Sequence, residues 1–213
     1  MIGNDIVDLQ YAAQYHNWRR AGYLRKVFTA QERVRIENST TPDRLVWTLW
    51  SAKESAYKLS VQQGAARKYA PQQLVTAYLT TQDAGNAIYS VRYQGGSCYV
   101  IVEQDSSYIH SVALPHSSIW ENVQIGKVEL STDDVAGQRS RLRRALYSNY
   151  IKQTRAIATD YRIRKSPAGI PMLFAGEELV GISVSLSHHG HFGAFAYDVV
   201  NSSTSHVTQI VAE

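Results

Sequence analysis

The sequence predicts an α+β protein of two subdomains, residues 1–115 and 116–213, and three observations carry that expectation. A helical pattern followed by a strand meander occurs twice along the chain. In the first half, "NAIYSVRY", "GG" and "SCYVIVEQ" form a hairpin pattern turning at Gly95 and Gly96. A polar stretch, "PHSS", begins at Pro115 and separates the two patterns.

The elements follow in order. "MIGNDIVDL" is short and apolar enough for a buried strand. A helix is expected at "FTAQERVRI", where Thr29 caps and Glu32, three residues on, completes a capping box. A longer helix is expected from Arg44 to Leu59, then the hairpin and a third strand, "SYIHSVAL". Beyond the boundary, "RSRLRRALYSNYIKQTRAIA" is helical, with Leu142, Ala145, Leu146 and Tyr150 on one side. "YRIRK", the turn "SPAG", "IPMLF" and "GISVSLSHHGHFGAFAYDV" supply strands and turns.

Composition narrows the function classes. A chain of 213 residues, 44% hydrophobic and 19% charged, is long and apolar enough to bury a core. No run reaches the length of a membrane span and the start lacks a signal-peptide pattern, so cytoplasmic location is the default. The single cysteine, Cys98, excludes an intramolecular disulfide and a cysteine-rich metal site. A net charge of +4 permits an acidic or phosphorylated partner without selecting one.

The helix "LWSAKESAYKL" poses the functional question. At helical spacing Leu45, Leu49, Ala52, Ala56 and Leu59 form one apolar stripe, with Val46, Trp50 and Tyr57 beside it. Glu54 falls between the bearings of Trp50 and Trp47, and Lys58 lies one turn on. One reading is an exposed pair at i, i+4, of small energetic weight. The other is a carboxylate desolvated by indole rings, which needs a metal, a cation or a proton. Asp5 repeats the question in "GNDIVDL": a strand-end cap on one reading, a hard oxygen ligand suited to Mg²⁺ on the other. Gly3 beside it leaves room for a ligand or a backbone to approach. In "SVSLSHHGHF", His188, His189 and His191 on a turn are poorly placed to share one zinc ion; a serine and histidine facing phosphate is the alternative. The arginines 139, 141, 143 and 144 lie in the same half and read equally as a solvated helix face.

Together "GNDIVDL", "WSAKESAYK", "SLSHHG" and the turn Gly169–Pro171 resemble the signatures of the 4′-phosphopantetheinyl transferase superfamily. The pattern is G-x-D, then W/F-x-x-K-E-x-x-x-K, with an S-H segment; only 116–132 and the C-terminal "NSSTSHVTQIVAE" fall outside the resemblance. The superfamily has a short, trimeric type of one α+β copy and a fused type of two copies. Here G-x-D and K-E precede S-H, which implies a pseudo-dimer with its halves exchanged relative to the fused type. A short-type copy with a long insertion is the alternative.

The resemblance implies transfer of phosphopantetheine from coenzyme A to a serine of an acidic apo acyl or peptidyl carrier protein, releasing 3′,5′-adenosine bisphosphate. Asp5 and Glu54 would hold Mg²⁺ on the pyrophosphate, and Glu54 and Lys58 would be catalytic. Ser187, His188 and an arginine such as Arg143 would contact coenzyme A. A pseudo-dimer is expected to work as a monomer in fatty-acid, polyketide or peptide synthesis, away from membranes and nucleic acid. Two departures stand out: Val7 replaces a third carboxylate of fused members, and Ile170 replaces the lysine of a G-K-P turn, with Lys165 a substitute cation. They leave room for an inactive member that only binds carrier protein or coenzyme A. A basic nucleic-acid-binding protein is the rival from another class.

Overall fold

The structure is a computed structural model that describes residues 1–82, 85–115, 120–130, 134–157 and 160–199. Strand β1 (Gly3–Asp8) is buried along its whole length, as its apolar run requires. Three short helices follow: α1 (Leu9–Tyr15), α2 (Tyr23–Val27) and α3 (Ala30–Glu37). The side chain that caps after the strand is Asp8, which accepts from Tyr11 N and starts α1. That leaves Asp5 free of capping duty. The Thr29–Glu32 capping box forms as the spacing predicts.

Helix α4 spans Pro42–Gln62, longer at both ends than the expected Arg44 to Leu59. Pro42 accounts for the earlier start, since a fixed φ suits the first helical position, which needs no N–H partner. Strands β2 (Val75–Thr81), β3 (Ala87–Tyr93), β4 (Gly96–Gln104) and β5 (Tyr108–Pro115) complete an antiparallel sheet in the order β1-β5-β4-β3-β2. The hairpin and third strand stand where expected, whereas β2 carried no signal strong enough to predict it. It lies at the sheet edge and is mostly exposed, so no buried alternation marks it.

The expected boundary at "PHSS" falls largely on residues 116–119, outside the described residues. Beyond it come β6 (Val123–Glu129), α5 (Val135–Thr154), β7 (Tyr161–Lys165), β8 (Pro171–Ala175), β9 (Glu178–Leu179), β10 (Val184–His189) and β11 (Phe192–Asp198). They form two three-stranded sheets, β10-β11-β6 and β7-β8-β9. Strand β6 also went unpredicted, its alternation being shallow and half exposed. In each half a first strand leads into a long helix and then pairs antiparallel with the last strand: β1 with β5, β6 with β11. One core gathers around α4 and its sheet, a second around Leu142, Leu146 and Tyr197, and a small cluster of Ile2, Val112, Leu114 and Ala196 bridges them.

Two contacts place the site. The α4 backbone lies directly on β1, because a Cβ built at Gly3 would sit 1.9 Å from Ser55 O. On the other side, β1 is a sheet edge whose outward N–H groups meet side chains of β10. Ser185 Oγ accepts from Asn4 N at 2.9 Å, Ser187 Oγ from Ile6 N at 3.3 Å, and His189 Nδ1 from Asp8 N at 3.0 Å. Alternation along β10 sends residues 185, 187 and 189 to β1 and His188 the opposite way.

Gly3→Ala is expected to cost about 3 kcal/mol or more, because backbone rather than a flexible side chain must yield. Urea denaturation followed by tryptophan fluorescence measures the loss.

Candidate active site

Helix α4 presents its three motif charges to three environments. Lys53 points inward and is fully buried, with Nζ 2.7 Å from Glu32 Oε2 and 2.8 Å from Pro71 O. Glu32, itself buried, also accepts from Thr29 N at 2.8 Å and from Thr76 N at 2.9 Å. Burial pushes the Glu32 pKa upward, but Lys53 and the Thr76 hydrogen bonds outweigh it and hold the carboxyl below its usual range. Lys53 therefore ties α3, α4 and β2 together as a buried ion pair.

Lys58 points the other way, toward β1. Its Nζ lies 2.8 Å from Asn4 O, 2.9 Å from Asp5 Oδ1 and 3.2 Å from Ser187 Oγ. Ser187 Oγ donates to the same Asp5 oxygen at 2.9 Å. The structure thus joins Asp5, Lys58 and Ser187, far apart in the chain, in one partly buried cluster.

Glu54 stands between these two lysines and bonds to neither. Burial, then repulsion from Asp5, raises its pKa to about 7 against the attraction of Lys58. The desolvated-carboxylate reading of the sequence holds, and the exposed i, i+4 pair does not form. Tyr69, with its buried hydroxyl, faces Glu54 without completing a well-formed hydrogen bond; burial and that carboxylate push its pKa far up. Trp50 stacks on Tyr23 and meets Tyr69 edge-on, and Tyr57 meets Tyr69 likewise. Arg20 lies 5.1 Å over the Tyr23 ring, so an aromatic row runs from Glu54 to a surface cation.

The other side of Lys58 lines a cavity of about 460 Å³ between α4, α5, β7 and the β8 turn. Arg67, Arg139, Arg143, Lys165 and His188 share its wall, and among the described residues no carboxylate does. Burial first, then Arg139 and Lys58, hold the His188 pKa below its usual value, so the ring is neutral among cations. Gly169 has φ +75°, a left-handed conformation, and a Cβ there would lie 2.7 Å from the Arg67 guanidinium. Arg67 therefore occupies the turn where Ile170 departs from the superfamily pattern. Nothing about Arg67 in sequence announced this; it lies in a loop and reaches the turn only through folding.

The histidines do not converge. His189 accepts from Asp8 N through Nδ1, so its Nε2 carries the proton and donates to His16 Nε2 at 3.1 Å. His191 takes part through its backbone, donating its N–H to Asp8 Oδ2 at 2.8 Å and accepting from Leu130 N at 2.7 Å. Among the described residues no group of three or more histidine, cysteine or carboxylate ligands gathers. Asp5 and Glu54 remain as two neighbouring hard oxygen donors, with the Glu54 pKa raised to about 7 by burial and by Asp5. That donor set fits a cation such as Mg²⁺, which completes its shell with water and phosphate.

Fold and site together define an α+β protein with two neighbouring carboxylates, Asp5 and Glu54, beside a cationic cleft. Residues 1–113 match the sequence profile of the 4′-phosphopantetheinyl transferase superfamily. The chain belongs to that superfamily, whose members are transferases using coenzyme A as the phosphopantetheine donor. No individually curated protein matches it significantly. No helix among the described residues is long and apolar enough to cross a membrane.

Lys53→Met is expected to cost about 3–5 kcal/mol by stranding Glu32, and adding Glu32→Gln to recover part of it. Chemical denaturation of the three proteins tests this. Glu54 behaves oppositely. With its folded pKa raised above 4.5 to about 7, it contributes stability at low pH that is lost as pH rises through 7. At pH 8 without metal, Glu54→Gln is expected to be more stable than wild type by on the order of 2 kcal/mol. The difference should vanish below pH 4.5, and melting curves across that range read it.

Proposed function

We propose that this chain transfers 4′-phosphopantetheine from coenzyme A to a serine of an acidic apo acyl or peptidyl carrier protein. The observation that carries the reading is the cavity of about 460 Å³ with Lys58, Arg67, Arg139, Arg143, Lys165 and His188 on its wall. Five cations with no carboxylate among the described residues suit the phosphates of coenzyme A. Arg67 and Lys165 offset the lysine missing at Ile170, and we assign Arg143 and His188 to phosphate contacts. Lys58 belongs both to this wall and to the Asp5 cluster, so a phosphate held there meets the carboxylate pair.

Asp5 and Glu54 are the residues to hold Mg²⁺, which supplies charge neutralisation on the pyrophosphate when bound. Val7 is buried in the core and adds no third carboxylate. The carrier serine oxygen attacks the β-phosphorus, forming one P–O bond as the bond to the α-phosphate bridging oxygen breaks. Glu54, or a water it orients, accepts the serine proton. Lys58 stabilises charge on the departing 3′,5′-adenosine bisphosphate. Carrier docking is assigned to the segment holding Arg19, Arg20, Arg25 and Lys26, which contains no acid between 17 and 27 and reaches Glu54 through Tyr23 and Trp50.

We also read the two halves as a pseudo-dimer divided near 116, acting as a monomer in the cytoplasm and serving fatty-acid, polyketide or peptide synthesis. The shared order of first strand, long helix and returning last strand supports the duplication. The departures that favoured a binding-only member weigh less with Arg67 at the turn.

Incubation of an apo carrier with the protein, coenzyme A and Mg²⁺ is expected to add one phosphopantetheinyl group by intact mass. Glu54→Ala, Asp5→Ala and chelator should each abolish it. Coenzyme A binding without modification of any carrier would instead support the inactive reading. Arg67→Ala and Arg143→Ala are each expected to raise KM for coenzyme A on the order of tenfold with smaller changes in kcat, read from initial rates.

A further inference from the structure

The three β10 side chains that reach β1 do not share one job. Ser185 Oγ accepts from Asn4 N and His189 Nδ1 from Asp8 N, each satisfying one edge N–H. Ser187 sits between them and does more. It accepts from Ile6 N at 3.3 Å, the longest of the three, while its own proton goes to Asp5 Oδ1 at 2.9 Å. Lys58 Nζ reaches both oxygens, at 2.9 Å to Asp5 and 3.2 Å to Ser187. One donor and two acceptor sites exhaust a hydroxyl, so Ser187 has nothing left to offer a ligand. It is also buried.

Asp5 receives both of its side-chain hydrogen bonds on Oδ1, and among the described residues Oδ2 takes none. A carboxylate anchored by two donors through one oxygen has its rotation fixed and presents the other oxygen in a set direction. Half of that anchor comes from 182 residues along the chain, in the opposite half of the fold. His188, one residue on, faces the cavity instead.

We propose that Ser187 is a positioning residue that orients the Asp5 carboxylate for the metal cation and holds the Lys58 ammonium beside it, and that it makes no contact with coenzyme A. The cation's role rests on the transferase reading, whereas the anchoring rests on the hydrogen bonds alone. The serine–histidine segment then divides its labour by strand alternation: His188 for the ligand, Ser187 for the carboxylate.

Ser185 provides the control. It satisfies a β1 N–H as Ser187 does but makes no hydrogen bond to Asp5 or Lys58, so a merely structural role would make the two alanine variants alike. Mn²⁺ affinity is measured by electron paramagnetic resonance and coenzyme A affinity by calorimetry, on wild type, Ser187→Ala and Ser185→Ala. Ser187→Ala is expected to weaken Mn²⁺ binding by about tenfold or more and to lower kcat, with coenzyme A affinity within about twofold of wild type. Ser185→Ala should keep wild-type Mn²⁺ affinity while its melting temperature falls about as far as that of Ser187→Ala. Unchanged Mn²⁺ affinity in Ser187→Ala overturns the proposal. So does an equal loss in Ser185→Ala, a loss that falls on coenzyme A instead, or a wild type that binds no Mn²⁺. A wild type that binds Mn²⁺ and coenzyme A yet modifies no carrier removes the transferase reading, while the metal-affinity contrast still decides this one.

Discussion

The unpaired edge of β1 is the constraint on which the rest of the molecule depends. An open edge carries a row of N–H groups that must find acceptors once buried, and a neighbouring strand would ordinarily supply carbonyls. Here β10 supplies two hydroxyls and an imidazole nitrogen instead. Side-chain acceptors hold the two strands farther apart than a ladder would, so the sheets stay separate while their halves remain joined. That separation leaves space for Asp5, Lys58 and Ser187 to meet at the seam. It also turns the alternate face of β10 toward the cavity. Further ties, such as Gln62 Nε2 to Val184 O at 2.9 Å, hold the same seam from α4.

Charge is distributed along α4 according to how completely each group is compensated. Lys53 and Glu32 lie deep in the fold and satisfy one another with backbone and hydroxyl help, an arrangement that stabilises only while both members are present. Glu54 lies closer to the surface and has no such partner. Burial and the nearby Asp5 raise its pKa to about 7, so it is only partly ionised at physiological pH, and an arriving positive charge would complete its ionisation. The cavity beyond Lys58 has the complementary imbalance: cations without carboxylates. One side of Lys58 wants positive charge and the other wants negative. A metal bound to a polyphosphate, as proposed above, would answer both at once.

Several pieces of this arrangement were legible in the residues themselves. Thr29 and Glu32 announced their capping box, the apolar run of β1 its burial, and the period of α4 its core-facing stripe, because each depends on neighbours within a few positions. Spacing also flagged Glu54 as a carboxylate among indoles. Strands β2 and β6 were not legible: one is an exposed edge and the other is only half covered, so neither shows the alternation that burial imprints. Helix α1 was missed for a related reason, being short and started by a single aspartate whose role could not be told from that of Asp5.

By itself the sequence determined the local elements, the superfamily signatures and the identity of the charged groups on α4, all properties of short-range order. It left open what surrounds Glu54, what Lys53 does, and which side chain lies against the turn at Gly169. Those depend on contacts between residues far apart in the chain. Lys53 and Glu54 are adjacent, yet a rotation of about 100° per residue sends one into the core and the other toward Asp5 and Tyr69. Arg67 reaches Gly169 across the interface between halves, and Ser187 reaches Asp5 only because β10 packs on the edge of β1. A hydrogen bond or ion pair of that kind has no spacing rule behind it. It exists only when the fold closes, so only the tertiary structure could decide it.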